Sequence, residues 1–128
     1  MKTVLVVDDE RDVETLFRQR FRKEIRSSEI ELLFAFSGED ALQVLQERPK
    51  SDVALVLSDI NMPGMTGIEL LSHIKKMPPP VPVCMMTAYA SDSYREQARR
   101  FECDGYLTKP IDFNELKGKI QELPDVTI

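Results

Sequence analysis

The sequence predicts an α/β fold: a (βα)5 doubly wound sheet of five parallel strands. Two observations predict it. Short apolar, partly β-branched runs alternate with segments of helical periodicity along the 128 residues. The first, third and fourth of these runs are continuously hydrophobic, as expected of strands covered on both faces. Alternation at this spacing implies crossover helices on both sides of a parallel sheet. Five strands are too few for an eight-stranded barrel, so the sheet is open. A ligand site then belongs at the carboxyl ends of the strands, near the switch in strand order.

The strand segments are "TVLVV" (3–7), "IELLFAF" (30–36), "VALVLS" (53–58), "VPVCMMT" (81–87) and "GYLT" (105–108). Val13, Leu16, Phe17, Phe21 and Ile25 recur at helical spacing and predict one long helix over 11–26. Ala41, Leu42, Val44 and Leu45 mark a second helix, with Ser37 as its N-cap. Ile68, Leu71 and Ile74 mark a third, opened by the capping box Thr66-x-x-Glu69. Tyr94, Ala98 and Phe101 mark a fourth, opened by Ser93-x-x-Glu96. Leu116, Ile120 and Leu123 mark a fifth, capped by Asp112. "MPPPVP" (77–82) reads as a stiff connection into the fourth strand. The chain reads as one domain over 1–123, with 124–128 a tail or the start of a linker.

Composition narrows the function. A hydrophobic share of 42% and a charged share of 30% are those of an ordinary globular domain. A net charge of −5 argues against direct nucleic-acid binding. No apolar run reaches transmembrane length and no signal-peptide pattern opens the chain, so a cytoplasmic location is expected. Cys84 and Cys103 form no CxxC pair, and His73 alone cannot complete a zinc site. Both cysteines read as reduced thiols, His73 as a surface or partly packed residue, and the methionines as core or loop filler. The basic runs over 18–26 and 95–100 read as solvated helix faces.

The strand ends carry the chemistry. The first ends in Asp8-Asp9-Glu10, the third in Asp59, the fourth in Thr87-Ala88 and the fifth in Thr108-Lys109-Pro110. Each has a plain alternative: Asp8 or Asp9 as a helix cap, Asp59 as a turn cap, Thr87 on a backbone group, Lys109 in solvent. Together these alternatives must gather like charges at one edge by accident, where they repel and raise one another's pKa. Asp8, Asp9 and Asp59 are balanced by one divalent ion and Lys109. Oxygen ligands with room for water favour Mg²⁺. Such an ion suits phosphoryl transfer, with Asp59 at the central strand's end as nucleophile. Lys109 adds a second positive contact and Thr87 a hydrogen bond to a phosphoryl oxygen. The turn "NMPGMTG" brings backbone close to Asp59, with the carbonyl of Asn61 as a metal ligand.

These motifs, "VLVVDDE" (4–10), "LVLSDINMPGMTG" (55–67), "MMTAY" (85–89) and "GYLTKP" (105–110), resemble the receiver domains of bacterial two-component response regulators over about residues 2–123. The resemblance implies the flavodoxin-like strand order 2-1-3-4-5. It makes Asp59 the phosphoacceptor, Asp9 a direct Mg²⁺ ligand, Asp8 a ligand through water and the carbonyl of Asn61 the remaining protein ligand. Thr87 and Lys109 would contact the phosphoryl group, the Lys109-Pro110 bond would be cis, and Tyr106 would be the switch aromatic. Asn61 and Tyr89 occupy the positions that tune phosphorylation lifetime. The implied donor is a sensor histidine kinase or phosphotransfer protein. By the same resemblance the domain would catalyse its own phosphorylation and acyl-phosphate hydrolysis without being a conventional enzyme. Its output surface is the fourth helix, fifth strand and fifth helix, which would engage a downstream effector domain or protein, and a phosphorylation-linked dimer is allowed. Contact with nucleic acid or membrane is not expected.

Some features depart from the family pattern. The stretch from Asp9 to Asp59 is several residues longer than in compact members, an excess placed in the first helix and in "RPKSD" (48–52). Glu102-Cys103 replaces a common Gly-Ala pair. A left-handed cap would strain Glu102, so a different helix terminus is expected there. The end "LPDVTI" suggests the N-terminal part of a larger regulator, or else a protein that acts alone by docking. Other phosphate-handling classes fit less well. An FMN-binding flavodoxin would place a hydroxyl- and glycine-rich loop where Asp8-Asp9-Glu10 stands. The GxxxxGK signature of P-loop NTPases is absent. "DDERD" (8–12) does not match the nucleophile motif of haloacid-dehalogenase-type phosphatases. The remaining alternative is a receiver-like interaction module that works without phosphorylation.

Overall fold

In the computed structural model the described residues are 1–48, 52–79, 81–88 and 92–123. The elements run β1 (Lys2–Val7), α1 (Asp12–Arg20), α2 (Arg22–Arg26), β2 (Ile30–Ala35), α3 (Gly38–Glu47), β3 (Leu55–Asp59), α4 (Gly67–Lys75), β4 (Val83–Thr87), α5 (Asp92–Arg100), β5 (Gly105–Thr108) and α6 (Phe113–Glu122). All strand pairs are parallel, and the sheet order is β2-β1-β3-β4-β5. This is the predicted doubly wound topology. Parts of "RPKSD" and "MPPPVP", Tyr89 and the tail 124–128 lie outside the described residues.

The period of two along each strand splits the interior into two cores. Val4 and Val6 of β1 pack in one core with Leu55, Leu57, Met86, Phe17, Phe21, Leu116 and Ile120. Leu5 and Val7 pack in the other with Val56, Met85, Ala41, Leu45, Leu71 and Ile74. Each fully buried Leu, Ile or Phe contributes about 1.5–3 kcal/mol. Coverage on both faces explains the unbroken hydrophobic runs. Cys84 packs in the first core and Cys103 against the second. Both thiols are free, and burial pushes that of Cys84 up to about 12, which leaves it protonated and inert. His73 is exposed.

Local signals are met at most helix starts. The Ser37 hydroxyl accepts from the Asp40 N–H, and the Asp112 carboxylate accepts from Asn114 and Glu115. Thr66 and Glu69 form the complete capping box. Three helix expectations need correction. The segment 11–26 is two helices, broken at Phe21 (φ −104°, ψ 13°). Phe21 still accepts from the Ile25 N–H and donates to Phe17, so the distortion is local. It lies where the wholly buried Phe21 ring meets Phe17 and Phe113. Ser93 and Glu96 make no capping box, because α5 already begins at Asp92. Ser93 accepts from Gln97 instead, and Glu96 pairs with Arg99. Phe101 falls just past the last turn of α5 and stays 38% exposed, off the helix's buried face.

The end of α5 keeps the left-handed cap that its sequence disfavours. Glu102 has φ 63°, and the Cys103 N–H closes the helix on the Ala98 carbonyl at 3.0 Å. A left-handed non-glycine residue costs about 1–2 kcal/mol. Part of that gain is lost to the added freedom of an unfolded glycine. Glu102→Gly is therefore expected to stabilise the protein by about 0.5–1 kcal/mol, read as a higher urea midpoint at unchanged slope. A lower midpoint would show that the Glu102 side chain contributes more than its backbone strain removes.

Candidate functional site

Parallel register brings the strand ends to one edge. Val7 lies beside Ser58, so the residues that follow, Asp8 and Asp59, are level. Asp59 lies beside Met86, and Thr87 beside Thr108, which puts Thr87 and Lys109 one step further along. The Lys109 N–H donates to the Thr87 carbonyl at 2.7 Å and fixes the two strand ends together. The Lys109-Pro110 peptide is cis, as the family resemblance implied.

Carboxylate oxygens of Asp8, Asp9 and Asp59 all lie within 4.8 Å of one another. Lys109 Nζ donates to Asp8 Oδ2 at 2.8 Å and stands 3.7 Å from Asp59 Oδ1. Asp8 Oδ1 accepts from the Glu10 N–H at 2.9 Å. The side chains of Asp8 and Asp59 are only 1% and 8% exposed. Burial pushes the Asp59 carboxyl up to about 6; the Lys109 charge opposes the shift, and Asp8 and Asp9 add to it. Burial alone would lower the Lys109 ammonium. Its hydrogen bond to Asp8 and the charges of Asp59, Asp8 and Glu10 outweigh that and raise it. One ammonium thus leaves the three acids undercompensated, and an all-oxygen donor set with open space beside it suits a hard divalent cation.

The loop after β3 shapes the site. Gly64 has φ 75°, and the Gly67 N–H donates to the Ile60 carbonyl at 2.8 Å, closing a tight reversal. Asp8, Asp9, Asp59, Asn61 and Lys109 line one open cleft of about 700 Å³. Thr87 is fully buried at its edge, between the cleft-lining Met86 and Ala88. Tyr106 lies further off on β5, half-buried under the Arg95 guanidinium, which sits 5.1 Å from its ring centre. Its hydroxyl is buried and makes no hydrogen bond among the described residues. Among the described residues, every one expected at the site is therefore at or beside the cleft except Tyr106.

Two features escaped the sequence. The cleft continues along an apolar wall of Val13, Leu16, Pro110, Ile111 and Phe113, with Leu16 41% exposed. Leu16 has helical spacing like its buried neighbours, so periodicity alone could not separate it from the core. The second is Tyr94 of α5, whose hydroxyl donates to Asn61 Oδ1 at 2.9 Å. That contact joins residues distant in sequence, and no local motif announces it.

Comparison with known proteins agrees with this geometry. The family model described as "Response regulator receiver domain" matches residues 4–121. Sporulation initiation phosphotransferase F of Bacillus subtilis is 30% identical over 93% of this chain and 90% of its own length. Transcriptional regulatory protein ZraR of Escherichia coli O157:H7 is 34% identical over 93% of this chain, which spans only 25% of that protein. The crystal structure of response regulator protein TrrA from Thermotoga maritima, in complex with Mg(2+)-BeF, matches with a TM-score of 0.78 and 33% identity, covering 95% of this chain and 98% of that one. Sheet order, converging strand-end acids and a match along nearly the whole chain give one answer: it belongs to the response regulator receiver domains.

Proposed function

We propose that Asp59 accepts a phosphoryl group from the phosphohistidine of a sensor histidine kinase or phosphotransfer protein. A carboxylate oxygen of Asp59 bonds to phosphorus as the phosphorus–nitrogen bond breaks, and the imidazole leaves with that electron pair. The observation that carries this reading is the convergence of Asp8, Asp9 and Asp59 within 4.8 Å beside Lys109. Asp9 and Asp59, the carbonyl of Asn61 and, through water, Asp8 would hold Mg²⁺. When bound, this ion neutralises the acids and the phosphoryl oxygens. Lys109 offsets charge on the transferring group, and Thr87 donates a hydrogen bond to it. The apolar cleft wall beside Asp59 supports docking of the donor protein there.

Phosphorylation replaces about one negative charge with about two. Thr87 then moves toward the phosphate, and Tyr106, whose hydroxyl makes no hydrogen bond among the described residues, turns to fill the space. The surface that responds is α5, β5 and α6, which would present the signal to an effector domain or protein and support a phosphorylation-linked dimer. The domain itself would work in the cytoplasm without touching nucleic acid. Among the described residues no helix is long and apolar enough to cross a membrane.

Incubation with Mg²⁺ and acetyl phosphate tests the reading. Intact-mass measurement should show one added phosphoryl group in the wild-type protein and none in Asp59→Asn. No gain, under donor and kinase conditions that phosphorylate a control receiver, would leave the phosphorylation-independent module as the better description.

A further inference from the structure

Tyr94 and Arg95 are adjacent on α5 yet touch different parts of the molecule. The Tyr94 hydroxyl reaches the loop after β3 and donates to the Asn61 side chain at 2.9 Å. The Arg95 guanidinium covers the ring of Tyr106 on β5. Asn61 is two residues past Asp59 and lines the acidic cleft. Its amide is thus held between the cleft and the first turn of α5. Tyr94 is half-buried and packs against the core shared by α3, α4 and α5, which fixes where its hydroxyl can point.

We infer that Tyr94 is a positioning residue: its hydroxyl engages the Asn61 amide at the rim of the cleft, slows hydrolysis of the Asp59 phosphate and ties that rim to α5. This rests on the phosphorylation of Asp59 proposed above. Asn61 Oδ1 can accept two hydrogen bonds; Tyr94 takes one of them and so fixes which way the amide points. Hydrolysis needs a water oriented in line with the bond between phosphorus and the Asp59 oxygen. The water oxygen bonds to phosphorus, the carboxylate leaves with the electron pair, and the water's proton passes to solvent as inorganic phosphate departs. An amide released from Tyr94 is free to turn its oxygen toward this water and orient it from the cleft rim. The same release removes a polar tether from the first turn of α5.

The test uses Tyr94→Phe, Asn61→Ala and the double variant, phosphorylated with acetyl phosphate and then freed of donor. Decay of the phosphorylated mass is followed, along with hydrogen exchange of the unphosphorylated proteins over residues 96–100. Loss of one hydrogen bond corresponds to a change of about 2–10-fold. Tyr94→Phe is expected to decay faster than wild type by about that factor. The double variant should decay like Asn61→Ala alone, and exchange in α5 should rise in both single variants. Decay in Tyr94→Phe equal to or slower than wild type would overturn the assignment. So would an acceleration that persists without the Asn61 amide, or unchanged exchange in α5. Failure of the wild-type protein to take up any phosphoryl group would overturn the underlying reading as well, and shows before any variant is compared.

Discussion

In a chelating buffer at pH 7.5, Asp59→Asn should be more stable than the wild-type protein by up to about 3 kcal/mol. Burial raises the Asp59 carboxyl from 3.8 to about 6, against the opposing charge of Lys109. A folded state that binds a proton more tightly than the unfolded chain gains stability only while that proton is bound. The contribution is fully present below about pH 3.8. It declines as pH rises and is gone above about pH 6, when folded Asp59 must ionise in place. The difference of about two pKa units sets the upper limit, at about 1.4 kcal/mol per unit. Asparagine is neutral throughout and escapes the penalty. The advantage of the variant should therefore shrink on going from pH 7.5 to pH 4.5. The other acids titrate in both proteins and largely cancel in the difference. Denaturant unfolding at several pH values measures it. A stability difference independent of pH would mean that Asp59 is not held at a charge deficit. Added Mg²⁺ should stabilise the wild type more than the variant, because the ion binds the folded site and the variant offers it one carboxylate fewer.

The same electrostatics explain why so much of this site could be read from the chain. Asp8, Asp59, Thr87 and Lys109 each follow a hydrophobic run, and parallel register carries strand ends to one edge whatever the helices do. Residue type and position at a strand end were sufficient. Side chains that act across elements were harder to find. Tyr94 looked like one more apolar position on α5, and only the packed helix shows its hydroxyl at Asn61. Leu16 has the spacing of Phe17 and Phe21 but faces the cleft, because which residue leaves the core depends on how α1 lies on the sheet. The break at Phe21 was invisible for a related reason. Neither proline nor glycine marks it, and it accompanies aromatic packing against Phe113, a residue remote in sequence. At Glu102 local propensity argued for a changed terminus, but tertiary structure kept the left-handed cap. The turn from α5 into β5 is fixed on both sides: Ala98 is wholly buried, and the Asp104 N–H donates to the Val83 carbonyl at 2.7 Å.

Gly67→Ala should be among the most damaging single-methyl changes in the molecule. A Cβ on Gly67 would stand 2.0 Å from the carbonyl oxygen of Asp59, 2.8 Å from the Ile60 Cα and 2.9 Å from the Asp59 carbonyl carbon. All three neighbours are backbone, so no side chain can rotate away. Either the end of β3 or the start of α4 has to move. β3 is hydrogen-bonded to β1 and β4, and α4 buries Leu70, Leu71 and Ile74 in the core. Overpacking against rigid surroundings costs about 1–3 kcal/mol, occasionally more, and this site belongs at the upper end. The displacement falls on Asp59, the proposed phosphoacceptor. A shift of about 1 Å in a reacting group can slow a reaction by about 100-fold. Uptake of phosphoryl groups from acetyl phosphate should therefore fall more steeply than stability alone would require. Gly118→Ala supplies the control. It lies in α6 with nothing within 4 Å of its added Cβ, so alanine there should stabilise the protein by about 0.5–1 kcal/mol and leave uptake unchanged. Melting curves and uptake rates for the two variants, side by side, decide the matter. If Gly67→Ala melts and phosphorylates like Gly118→Ala, the close approach of α4 to the backbone of Asp59 does not constrain the site. If it folds but reacts slowly, that approach is what holds Asp59 in line with the entering phosphorus.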